Sequence, residues 1–403
     1  MHLFIVHLFP DLDTLAPVIY KLDCKSKGIA KILSVFPVHD LRNYAVMKFL
    51  LKRNIKYYSL ASINLKNFFL ILFLKVLSFL PKFILTKLNT LWYFLYHRAN
   101  LFTSNDICKF IEKEKIKSVT IDTALPTRLQ KIFYDSCSRK NIELIMYQVG
   151  INFIKNFKIP EYKFEYCNKY ILPNFLTPDP EDINIKKKII RILSARYCQE
   201  WVEIYEEINR LKLRDYKHYS PNRDKLKIVI ISRPRIILKE WKKLEEILKS
   251  LDNVEVRLLI KPRGNLSPLN AQHSTNQFTS SEVINWADLI VSHISSILVE
   301  TFIKEKKLLF LDYITKDKYK TAAWHYYKME DKEESYHFED HSFYVKINSL
   351  NHLIKEIKSC SKNLQKCNEN ELRDQKNFLN KILGGDYKNK DLLDKYVNLY
   401  MNL

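Results

Sequence analysis

Residues 286–313 read WADLIVSHISSILVETFIKEKKLLFLDY, from Trp286 to Tyr313. Ala287–Val291 is a short apolar run, the pattern of a strand buried on both faces of a parallel sheet. Ser292, His293, Ile294, Ser295 and Ser296 form a polar turn. Ile297–Lys306 follows with helical spacing, Ile297, Leu298 and Phe302 inward and Lys304, Glu305 and Lys306 outward. Leu308–Leu311 is the next strand and ends at Asp312. Strand, turn, helix and strand make one βαβ unit, and ligands of such a sheet bind outside the carboxyl ends of its strands. The turn therefore offers hydroxyls and free helix-start N–H groups to an anion such as a phosphate. The plainer alternative is that Ser295 and Ser296 only cap the helix.

Upstream the rhythm repeats. Leu226–Ser232 is a buried strand leaving through Arg233-Pro234-Arg235, and Leu238–Leu251 is a helix. Val254–Ile260 is a further strand, leaving through Lys261-Pro262-Arg263-Gly264. Strand ends of one parallel sheet share an edge, so these two loops and Ser292–Ser296 are expected side by side. Arg233, Arg235, Lys261 and Arg263 would bring four cations there, and Ser292, Ser295 and Ser296 hydroxyls. Such donors stabilise the negative charge that develops on a phosphate leaving group. The alternative is chance, because basic residues are plentiful throughout the chain.

A strand, two serines, a helix with an early Glu and another strand resemble the C-terminal domain of GT-B-fold, nucleotide-sugar-dependent transferases. The likeness is to bacterial capsule and lipopolysaccharide glycosyltransferases, including the Kdo and sialic acid transferases, and to CDP-glycerol glycerophosphotransferases. It implies that Ser295 and Ser296 meet the donor phosphates and that Glu300 meets the ribose. The Lys261-Pro262 step is similar to the Lys-Pro-His-Pro loop of those families, with Arg263 where their His stands. His293, in the serine turn, is the candidate to replace it; its alternative is an ordinary hydrogen-bonded turn histidine. Gln148 likewise stands where those families often carry a His before a Gly, here Gly150. The likeness is specific over 226–313 and a matter of rhythm elsewhere.

With 403 residues, 47% hydrophobic and 13% aromatic, the chain has the material for two ordinary domains with substantial cores. Five glycines, at 28, 150, 264, 384 and 385, allow neither GxGxxG nor GxxxxGK[ST]. A net charge of +21 asks for an acidic partner. The lysines are spread along the chain and no nucleic-acid motif appears, which favours phosphorylated substrates or an anionic membrane surface over nucleic acid. The seven cysteines contain no CxxC and no metal spacing, and read as reduced cytosolic thiols. The apolar opening, Met1–Phe9, lacks a basic start and meets Pro10, so it reads as a first strand rather than a signal peptide.

The first half also alternates. Strands are expected at Leu3–Phe9, Ala30–Val38, Ile55–Ser59, Ser118–Asp122, Ile142–Gln148 and Tyr170–Pro173, the last of the domain. Helices are expected at Thr14–Leu22, up to Lys52, at Ile107–Glu114, Thr127–Lys140 and Lys186–Lys212. Residues 65–98 are apolar but interrupted by Lys75, Pro81, Lys82 and Lys87, too broken for a spanning helix. They read either as interfacial helices with Lys at lipid headgroups or as core helices of the first domain. Glycosyl transfer needs a base for the acceptor hydroxyl. Asp11, Asp13, His39, Asp40 and Asp122 stand at expected strand exits, and Asp13 and Asp11 come first because the first strand of such sheets lies centrally. The alternative for each is a helix cap. Asp11-Leu12-Asp13 also spells DxD, but at the first strand it is misplaced for the metal motif of the other glycosyltransferase fold.

The expectation is an α/β chain of two Rossmann-like, GT-B-like domains: an acceptor domain at 1–215, a linker at 216–225 and a nucleotide-donor domain at 226–403. The resemblance adds a last helix packing back on the first domain. It also implies a metal-independent glycosyltransferase, without cofactor, moving a sugar from a nucleotide-sugar donor to a surface-glycan or lipid-linked acceptor. Location would be cytoplasmic, peripheral at the inner membrane face. The rivals are transfer of a polyol phosphate from a CDP donor, a non-hydrolysing sugar-nucleotide epimerase sharing the fold, and a non-catalytic membrane-surface or nucleic-acid binding protein.

Overall fold

In the computed structural model the described residues are 1–7, 9–35, 41, 44–64, 66–69, 72–73, 102–123, 125–148, 150–151, 153–155, 157–173, 175–213, 225–231, 238–259, 280–293, 295, 297–311, 335–363, 367–385 and 391–403. The expected loops 233–235 and 261–264, Ser296, His39, Asp40, residues 216–224 of the expected linker and most of 65–98 lie outside them.

The first half runs β1 (His2–Val6), α1 (Phe9–Lys25), β2 (Ala30–Ser34), α2 (Ala45–Lys52), β3 (Lys56–Ser59), α3 (Ser104–Lys113), β4 (Ser118–Asp122), α4 (Thr127–Arg139), β5 (Glu143–Tyr147), β6 (Lys169–Leu172), α5 (Ile183–Lys186), β7 (Ile189–Arg191) and α6 (Gln199–Leu213). Its seven strands, all parallel, take the order β3-β2-β1-β4-β5-β6-β7. The direction of winding reverses between β1 and β4, which places the topological switch point at their carboxyl ends. Residues of β1, β2 and β4 are buried throughout, as strands covered on both faces must be. Thr103 and Asp106 close α3 with a reciprocal capping box.

The second half runs β8 (Leu226–Ile231), α7 (Leu238–Lys249), β9 (Val254–Leu259), α8 (Ser280–Trp286), β10 (Leu289–Ser292), α9 (Leu298–Ile303), β11 (Lys307–Leu311), β12 (Tyr344–Ile347), α10 (Leu350–Asn363), α11 (Glu369–Leu383) and α12 (Leu392–Met401). Its five strands, again all parallel, take the order β12-β11-β10-β8-β9. The chain thus forms two Rossmann-like sheets with helices between their strands.

Two regions depart from the sequence reading. Within the helix expected at 186–212 the chain forms β7 and a 3₁₀ turn, Ala195–Tyr197, before α6 begins. Ile189-Ile190 pairs with Tyr170-Ile171, and this edge pairing overrides the charged, helix-favouring composition. Tyr170–Pro173 is therefore not the last strand. Neither β12 nor α11 was expected, although α11 carries an Asn368–Glu371 capping box and ends on Gly384 at φ 74°.

The last helix returns to the first sheet. Leu392, Leu393, Tyr396, Val397 and Tyr400 of α12 are buried. The Tyr400 hydroxyl lies 2.8 Å from Thr120 Oγ1 in β4, and the Tyr396 hydroxyl donates to the Leu193 carbonyl at 2.7 Å. One apolar core consequently runs from Phe4 and Val6 through Tyr396 and Tyr400 to Ile231 and Phe310.

Candidate functional site

At the edge of the second sheet, Ser292 pairs with Ile231 and Ile231 with Leu259. Strands β10, β8 and β9 are therefore adjacent and end level, and their carboxyl ends share one edge beside the switch point between β8 and β10. Of the expected donor residues in those exits, Ser292, His293 and Ser295 are described. Ser292 is the last residue of β10, fully buried, and its hydroxyl donates to the His293 carbonyl at 2.8 Å. His293 is buried with its ring 5.3 Å from that of Phe310. Ser295 Oγ accepts the Ile297 N–H at 3.3 Å, a local turn bond ahead of α9, whose N-cap residue Ile297 has no side-chain cap.

The carboxylates separate by environment. Both Asp11 and Asp13 lie within α1, not in a strand-exit loop, because the helix already starts at Phe9. Pro10 favours this early start, since its fixed φ suits a first helical turn. Asp11 is 1% exposed and its Oδ2 accepts the His7 N–H at 2.8 Å. Asp13 lines a cleft instead, with Arg196, Tyr197, Trp201, Val202, Tyr205, Glu300, Ile303 and Lys304. Pro17, four residues on, has no N–H to return to the Asp13 carbonyl, so the turn bearing this carboxylate is freed from the regular helical ladder.

The cleft joins the two halves. Asp13 comes from α1, Arg196 from the 3₁₀ turn after β7, and Glu300 from α9, in the βαβ unit that opened the sequence reading. Arg196 forms an ion pair with Glu300 Oε1, both side chains largely buried. Beside it Lys304 pairs with Glu206, again across the halves. Tyr44 donates its hydroxyl to Asp13 Oδ1 at 2.7 Å. Burial pushes the Asp13 carboxyl up to about 6, and Glu300 adds to this, while the Arg196 charge and the Tyr44 hydrogen bond oppose it. A carboxylate held there is a proton acceptor poised for near-neutral chemistry. Glu300 Oε2 is buried and has no hydrogen-bond partner among the described residues. The cleft is partly open, and the space in it that water centres can occupy is about 30 Å³, room for about two waters.

Asp13 and Glu300, read separately from the sequence, are thus brought to one cleft, whereas Asp11, Ser292 and His293 do not line it. Arg196, Tyr44 and Tyr205 were missed. Arg196 had one signal, a lone cation in the apolar run Ile192-Leu193-Ser194-Ala195-Arg196-Tyr197-Cys198, where a charge needs a partner. Among the described residues no group of three or more His, Cys, Asp or Glu is placed to hold a metal ion.

Solved structures of the same architecture exist. UDP-GlcNAc 2-epimerase from Neisseria meningitidis, bound to UDP-GlcNAc, superposes with a TM-score of 0.54 at 12% identity, covering 100% of each chain. UDP-GlcNAc 2-epimerase from Methanocaldococcus jannaschii gives 0.52 at 11%, also covering 100% of each. The S. aureus MnaA–UDP structure gives 0.52 at 11%, covering 100% of this chain and 97% of that one. The fold is GT-B-like. No protein-family model matches the sequence, and no curated protein matches it either. At these identities the likeness speaks for the fold.

Proposed function

We propose that this GT-B-like protein is a nucleotide-sugar-using enzyme, and that its reaction is glycosyl transfer to a surface-glycan or lipid-linked acceptor. The observation that carries the reading is the interdomain cleft in which Asp13, Arg196 and Glu300 meet. Asp13 takes the proton of an acceptor hydroxyl, which then attacks the sugar carbon bearing the nucleotide. The leaving phosphate moves towards the level strand ends of the second sheet, where the sequence places Arg233, Arg235, Lys261, Arg263, Ser295 and Ser296. Glu300 accepts a hydrogen bond from a donor ribose hydroxyl, and Arg196 holds its carboxylate in place. Structural neighbours solved with UDP and with UDP-GlcNAc support a nucleotide-sugar partner. On this reading no metal is needed.

The neighbours' names and the two cleft carboxylates favour one second reading, epimerisation of the sugar on its nucleotide. Here Asp13 would move a carbon-bound proton and no acceptor would be consumed. A panel of UDP, GDP, CDP, CMP and their sugar conjugates, with and without magnesium, tests both readings by thermal shift. Ligand at the folded site raises the midpoint by mass action. One nucleotide class should stabilise the protein without magnesium, and Glu300→Gln should weaken that shift. Incubation with the selected sugar nucleotide alone then decides the chemistry, since an epimerised sugar nucleotide identifies the second reading. No response across the panel overturns both.

A further inference from the structure

Residues 66–69 and 72–73 follow the edge of the first sheet with helical backbone that is inside out for water. Asn64 starts it: its side chain accepts the Asn67 N–H at 2.8 Å, and its carbonyl accepts the Phe68 N–H at 3.3 Å. The backbone is helical at 66–69 and again at 72–73. Helical spacing puts 68, 69, 72 and 73 on one stripe and 67 on the opposite side. Asn67 is fully buried, and neither polar atom of its carboxamide has a partner among the described residues. Phe68, Phe69, Leu72 and Phe73 are 49%, 58%, 50% and 59% exposed. One exposed apolar side chain is ordinary; three phenylalanines and a leucine on a single stripe form a contact surface.

We propose that this stripe docks the protein onto an anionic lipid bilayer surface. Apolar side chains on one helical face, flanked by cations, are the composition of a helix lying in the headgroup plane. Lys66 is exposed on the same helix. A net charge of +21 draws the whole protein to anionic headgroups. The same charge disfavours a second copy as occupant, because self-association would bring two cationic bodies together. No helix among the described residues is long and apolar enough to cross a membrane. The surface is independent of the cleft, and either assignment can fail alone.

Vesicle co-sedimentation of the full chain tests this, using phosphatidylcholine vesicles with and without about 30% phosphatidylglycerol. The wild type should pellet with the anionic vesicles and release as salt rises. Phe68→Ser, Phe69→Ser and Phe73→Ser combined should weaken that binding by about tenfold or more, with circular dichroism unchanged. Equal pelleting of variant and wild type overturns the proposal, as does a wild type that pellets with neither vesicle. A dimer in analytical ultracentrifugation that the triple variant abolishes, without vesicle binding, assigns the face to a second copy and overturns it too. Should the triple variant not fold, Phe69→Trp reports instead. A blue-shifted emission on adding anionic vesicles supports the proposal, and an unchanged spectrum refutes it.

Discussion

Replacing Asp13 with Asn is the most direct probe of the cleft, because the effect has a definite sign and size. Burial raises the Asp13 carboxyl from 3.8 to about 6 in the folded protein. Between those values the folded state binds more protons than the unfolded state, so stability falls as pH rises. Below the unfolded value the contribution is complete; above about 6 it is lost, because ionised Asp13 then sits in its buried site. Between pH 5 and pH 8 the two titrations differ by about 1.4 kcal/mol. Asn cannot ionise, yet its carbonyl still accepts from Tyr44. The stability of wild type relative to Asp13→Asn should therefore be about 1.4 kcal/mol greater at pH 5 than at pH 8. Chemical denaturation of both proteins at both pH values measures this, and groups that titrate alike in the two proteins cancel in the double difference. A double difference near zero would mean that Asp13 titrates as a solvated carboxylate. The opposite sign would make its charge a stabilising partner of Arg196. Either result refutes the argument for a poised base.

Two further substitutions test what holds the site. Arg196→Met strands the largely buried Glu300 charge and should cost about 2–3 kcal/mol. Adding Glu300→Gln should recover part of that loss, and additive effects in the denaturation cycle would deny the pair any coupling. Gly384→Ala tests the turn that ends α11. Its φ of 74° is strained for any other residue, and an added Cβ would meet the Phe175 ring, whose backbone is held by the Ile382 carbonyl at 3.1 Å. The expected loss is about 2–3 kcal/mol, and an unchanged denaturation midpoint would show that the turn can relax.

The sheets were legible because buried parallel strands announce themselves as short runs such as Lys227-Ile228-Val229-Ile230-Ile231 and Leu308-Leu309-Phe310-Leu311, separated by amphipathic helices. What escaped was decided by partners distant in sequence. Ile189–Arg191 sits among lysines and becomes a strand only because β6 offers it an edge. The start of α1 was misplaced because Phe9 and Pro10 look like the end of an apolar strand. That error put Asp13 in a loop, although its side chain still reached the cleft. Arg196 could not be assigned a partner from sequence, since Glu300 is 104 residues away and on the other sheet's helix. The serine turn shows the converse limit: its residues were found, but the same hydroxyls that could meet a phosphate can also bond their own backbone, and Ser292 does so.

Glu300 concentrates the remaining question. Its carboxylate is paired with Arg196 through Oε1, which alone would make it a structural link between the two halves. A link of that kind gives no reason for the second oxygen to stay buried and unpartnered among the described residues, since buried acceptors are ordinarily satisfied. On the proposed reading the asymmetry has a purpose. A ribose hydroxyl could bond Oε2 without breaking the Arg196 pair, so the ligand would gain a charge-assisted hydrogen bond while the interdomain contact persists. Arg196, paired with Glu300 and lining the cleft beside Asp13, would then hold both carboxylates towards one substrate.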